Sequence, residues 1–217
     1  MLPLDTIHAV IGYLATAAAP TAAPPRTELP NHHRLSGFAD VLPEYTLLVL
    51  HDGEEPDAPP GTRRMSGGAV AIHPELVDAY HGGLVDLLTD FAGTLQPPAD
   101  EPSTAGARVP LDRQSVAPAL TRAIVPRPGA RLVACAVLYD DIHTEPSTGH
   151  DNSPTIVLTR RVDAVDVDGR VYQVVRQSDR PDAVILVDDE PDVLDTPATY
   201  AGLTALITAA LHLIAAA

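Results

Sequence analysis

The sequence predicts an α+β fold: a mostly antiparallel sheet, strongest in the C-terminal half, packed by N-terminal, central and C-terminal helices. Three observations carry this expectation. Apolar residues recur at helical spacing near both ends and in the middle of the chain. The continuous apolar runs that read as strands gather after Ala130. Between two of them stands Asp168-Gly169, the strongest hairpin dipeptide in the chain, which favours antiparallel pairing.

The elements follow in order. Leu4, Ile7, Ile11 and Leu14 form one apolar stripe, so a helix is expected from Leu4 to Ala17. The Pro- and Ala-rich stretch after it reads as an extended strap. "YTLLVLHD" predicts a buried strand from Tyr45 to His51, followed by a long acidic, Pro-rich loop and a second short strand, "AVAIH". His73-Pro74-Glu75 opens a helix with Pro74 in its first turn, and Gly82-Gly83 weaken its middle, predicting a kink or two shorter helices. "LQPPADEPSTAGARVP" is the clearest linker, and another helix is expected from Arg113 to Ile124.

Beyond Pro128 strands dominate. "ARLVACAVLYDDI" is apolar on both alternating faces and reads as a central strand. A two-residue turn at Asp168-Gly169 pairs Val165 with Tyr172 but Asp163 with Val174, a mismatch that predicts a bulge. "AVILVDD" supplies the last strand. The final helix is signalled by Thr196 as N-cap and Pro197 at its first position, with Leu203, Leu206, Ile207, Ala210, Leu211 and Ile214 as its docking face. The chain therefore divides into 1–95, a linker-like segment 96–110, and a strand-rich core 111–217, unless all of it forms one domain.

Composition bounds the function. The 217 residues are 45% hydrophobic and 20% charged, enough to bury a core, while aromatics at 4% leave that core to Val, Leu, Ile and Ala. There is no lysine; with abundant Ala, Pro, Asp and Val this is the composition of a GC-rich genome, bacterial or phage. A net charge of −15 repels nucleic acid and anionic membrane, so the expected partner is a protein. The single cysteine, Cys135, lies in an apolar run and reads as a structural thiol. Neither end carries a signal peptide or a full membrane span by sequence, which makes the cytoplasm the expected location.

The stretch "AVILVDDEPDVL" resembles the first strand of two-component receiver domains, where paired acidic residues hold magnesium beside a phosphorylatable aspartate. Receivers continue with further strands and helices and use a lysine; here 23 residues follow Leu194 and lysine is absent. The stretch is read as a strand that ends in acidic residues.

Two other patterns bear on chemistry. Asp141, His143 and Glu145 alternate along an extended chain, with Asp140 in support, an arrangement that suits a divalent metal ion and metal-activated water. Three apolar runs end in acids: Asp52, Asp140 with Asp141, and Asp188 with Asp189; an antiparallel sheet scatters such groups to opposite ends. The leading expectation is a non-enzymatic accessory or binding protein with no cofactor. The alternative is a metal-dependent hydrolase built on Asp141, His143 and Glu145.

Overall fold

The computed structural model describes residues 1–19, 45–54, 59, 63–96, 113–145, 155–177, 182–191 and 196–216. The strap and the linker expected from sequence lie outside these residues. Helix α1 spans Leu4–Ala17. Strands β1 (Tyr45–Glu54) and β2 (Arg63–Ile72) follow, then α2 (Pro74–Asp78), α3 (Leu84–Leu95) and α4 (Arg113–Ile124). The remainder is β3 (Arg131–Glu145), β4 (Thr155–Asp166), β5 (Val171–Gln177), β6 (Ala183–Asp188) and α5 (Tyr200–Ala215). All six strands form one sheet in the order β2-β1-β3-β4-β5-β6, and every neighbouring pair is antiparallel. The fold is α+β, and the sheet joins strands from both sides of the 96–110 segment.

Side-chain alternation along the strands divides the core into two layers. Leu47, Val49, Cys135, Val137, Val165 and Val171 face α2 to α5 and pack with Leu88, Phe91, Leu120, Leu203 and Leu206. Leu48, Leu50, Ala134, Ala136, Val162, Ala164 and Tyr172 face the other way, under Val10 and Leu14 of α1. A β-bulge keeps this parity intact: Leu50 pairs with Ala134 but His51 pairs with Leu132, leaving Val133 as the extra residue. The Val133 carbonyl is satisfied by the Val167 amide at 2.9 Å, and His51 turns to the helical side, where its Nε2 donates to the Ile124 carbonyl at 3.0 Å.

Three local expectations are corrected. Strand β2 begins at Arg63, well before "AVAIH", because it pairs with β1 along its whole length from Glu54–Arg63 to Tyr45–Ile72, and Gly67 and Gly68 leave room for a residue of α1 and one of α4 to approach it. A Cβ on Gly67 would overlap the Tyr13 hydroxyl of α1, and one on Gly68 would lie 3.1 Å from the Ala123 Cβ of α4. The β4–β5 turn is a residue longer than a two-residue hairpin: Val165 pairs with Val171, and Ala164 with Tyr172. Asp166 and Arg170 close a three-residue loop through an Asp166 N–H to Arg170 carbonyl bond of 3.0 Å, with Gly169 in the left-handed region at φ 87°. This register sets Val162 opposite Val174, so apolar residues now match.

The third correction concerns α5. It starts at Tyr200 and not after Thr196; the N-cap position falls on Thr199, whose hydroxyl donates to Asp163 at 2.9 Å and makes no cap bond. Of the expected docking face, Leu203, Leu206, Ile207 and Ala210 are buried, Ile214 is half-buried and Leu211 is exposed. The Gly82-Gly83 break does separate α2 from α3, with Gly83 at φ 57°.

Candidate functional site

The acidic strand ends are distributed by the antiparallel topology. Asp52 pairs with Arg131 at one end of β3, whereas Asp140 and Asp141 lie near its other end, about 30 Å away at strand rise. Asp188 pairs with Val171 at the end where Asp52 lies, but β6 stands four strands from β1, about 19 Å across the sheet.

Arginines from neighbouring strands and from the β4–β5 turn meet these carboxylates. Asp52 is buried and accepts from Arg63 Nε at 2.9 and 3.0 Å and from Arg131 Nη2 at 2.9 Å. Asp140 accepts from its cross-strand partner Arg160 at 3.0 Å. Asp141 lies 3.8 Å from Arg161. Asp189 is bonded to Arg170, which also reaches Asp166 at 2.8 Å. A buried carboxylate needs such partners to remain charged. The arginine pairs 63–64 and 160–161, which look isolated in the sequence, supply several of them.

His143 and Glu145 occupy alternate positions of β3 with Asp141, opposite Val157, Thr155 and Thr159 respectively. Their side chains lie outside the described residues. Among the described residues no group of three His, Cys, Asp or Glu gathers as a metal-ligand set.

Two polar clusters tie the sheet together. Asp163 is buried; its Oδ2 accepts from the hydroxyls of Tyr139 at 2.8 Å and Thr199 at 2.9 Å, and Arg161 stands 3.8 Å from Oδ1. Tyr139 stacks on Tyr45 at 6.2 Å, and burial together with the Asp163 charge raises its hydroxyl well above the ordinary tyrosine range. At the turn, Asp166 accepts from the Tyr172 hydroxyl, the Arg170 guanidinium and the amides of Asp168 and Arg170, all at 2.7 to 3.0 Å. This cluster is saturated, as a buried carboxylate in a structural role should be.

Strand β6 is different in kind. It is an outer strand, and Val184, Ile185, Leu186 and Val187 are 60%, 39%, 56% and 42% exposed. Their exposure occurs on both faces of the sheet, since alternate residues point to opposite sides. One edge of β6 is hydrogen-bonded to β5; the other pairs with no strand among the described residues. Beside it, a hollow of about 270 Å³ is lined by Val171, Gln173, Leu186, Pro191 and Thr196. The polar end of the strand carries the exposed Asp188, Asp189 and Glu190. Sequence reading placed a strand here but missed its exposure, because an unbroken apolar run normally reads as buried on both sides. The signal lies in topology, which the sequence alone does not order.

No helix among the described residues is long and apolar enough to cross a membrane. Compared with family models, curated proteins and solved structures, the chain has no significant match.

Proposed function

We propose that the chain is a non-enzymatic accessory or binding protein that docks a protein partner along the free edge of β6. The observation that carries this reading is the run of four apolar residues, 39% to 60% exposed, on a strand edge that no other described strand pairs with. Soluble proteins ordinarily blunt such an edge with charge, proline or a covering element, because it templates pairing with another chain. An extended partner that adds a strand satisfies the open backbone groups and covers Val184 to Val187 in the same step. The arginine partners of Asp52, Asp140 and Asp189 favour structural roles for these acids over catalysis.

Site-directed photo-crosslinking tests the reading. A photoreactive residue at Leu186 is expected to capture a partner from extracts of the source cells, and one at Gly12 on the exposed face of α1 is not. Equal capture from both positions, or from neither, overturns it. Divalent-metal-dependent hydrolysis by the purified chain that is lost in Asp141→Ala would carry the hydrolase alternative instead.

A further inference from the structure

Resting on the docking reading above, we infer that the partner strand is apolar and carries basic residues at its N-terminal side. Direction comes first. All five pairings in this sheet are antiparallel, and antiparallel pairs predominate in general. A strand added antiparallel to β6 sets its own N-terminal residues beside the C-terminal end of β6. That end holds Asp188, Asp189 and Glu190, all exposed. Arg170 bonds to Asp189, and among the described residues an Asp188 oxygen accepts from the Glu190 amide at 3.0 Å. The end is therefore negative on a chain whose net charge is −15, and lysine or arginine on the partner complements it.

The same geometry argues against a second copy. Two β6 strands paired antiparallel about Ile185 set Asp188 opposite Asp182 of the other copy. Pairing about Leu186 sets Glu190 opposite Asp182 instead. Both registers bring like charges together at the ends of the paired segment, which is destabilising. The hollow beside Leu186, lined also by Gln173, Asp188 and Thr196, is of mixed apolar and polar character.

Three synthetic peptides read the inference by fluorescence anisotropy: KRKVTITV, VTITVKRK and EDEVTITV. The first is expected to bind saturably and about fivefold to tenfold more tightly than the other two, with the advantage shrinking as salt rises. Neutralising the end with Asp188→Asn and Glu190→Gln should erase that advantage while leaving the melting temperature unchanged. Leu186→Lys should abolish binding of all three. Equal binding of the three peptides to the native chain overturns the basic-strand inference and leaves edge docking standing. Absence of peptide binding, with Leu186-dependent self-association in analytical ultracentrifugation, overturns it in favour of a second copy. Absence of both removes the inference and the docking reading together.

Discussion

At the scale of single residues, the contacts of two helical glycines predict opposite outcomes for the same substitution. A Cβ on Gly202 of α5 would stand 2.8 Å from both the Leu88 Cβ and the Val85 carbonyl of α3. One of these is backbone and cannot swing aside, so Gly202→Ala should destabilise the fold by about 1–3 kcal/mol, read from the urea midpoint. Gly93 of α3 meets nothing within 4 Å, and Gly93→Ala should instead stabilise by about 0.4–1 kcal/mol. Cys135 offers a pH test. Burial pushes its thiol up from 9.0 to about 12, so the unfolded chain ionises while the folded chain stays neutral. Stability present below pH 9.0 is therefore lost progressively as pH rises toward about 12. Burial raises Tyr139 and Tyr172 in the same sense from 10.0. Denaturant midpoints between about pH 8 and 10.5 should fall, and fall less steeply in Cys135→Ala. The native thiol should also resist alkylation until the chain unfolds.

At the scale of elements, α5 closes the helical layer with Leu203, Leu206, Ile207, Ala209 and Ala210 buried. Each large side chain contributes about 1.5–3 kcal/mol when fully buried, so deleting residues 197–217 should leave an aggregating or unfolded product. A soluble truncation with an unchanged unfolding midpoint would show the helix to be dispensable. The bounds of α1 and α4 and the split between α2 and α3 were legible, because stripe spacing and a glycine pair act locally. The start of α5 was not: its N-cap is Thr199, whose hydroxyl bonds to Asp163 of another element and makes no cap, so no local capping pattern marks it. Nor was the full length of β2, whose glycines matter only once Tyr13 and Ala123 press on them. The same limit governs the candidate site. The acidic ends were visible, and their dispersal followed from an antiparallel sheet; the exposure of Val184 to Val187 depends on strand order, to which no local pattern speaks.

At the scale of the whole molecule, a net charge of −15 makes the chain repel itself. Raising ionic strength from about 0.01 to 0.15 M shortens the screening length from about 30 to 8 Å. The melting temperature should rise across that range, because the close Asp–Arg pairs are screened less than the long-range repulsion; a fall would show those pairs to dominate. The sheet order has a consequence for how the chain comes together in time. Strands β3 to β6 follow one another as a meander and close short loops, whereas β1 reaches β3 across some eighty intervening residues. The meander is thus expected to form early and offer β3 as a template on which the β1–β2 hairpin condenses. Native contacts link the two halves through that pairing and through α3 against α5. A proteolytic cut between residues 97 and 112 should therefore leave a nicked protein that elutes as a single species. Separately produced pieces 1–96 and 113–217 should find each other again in solution.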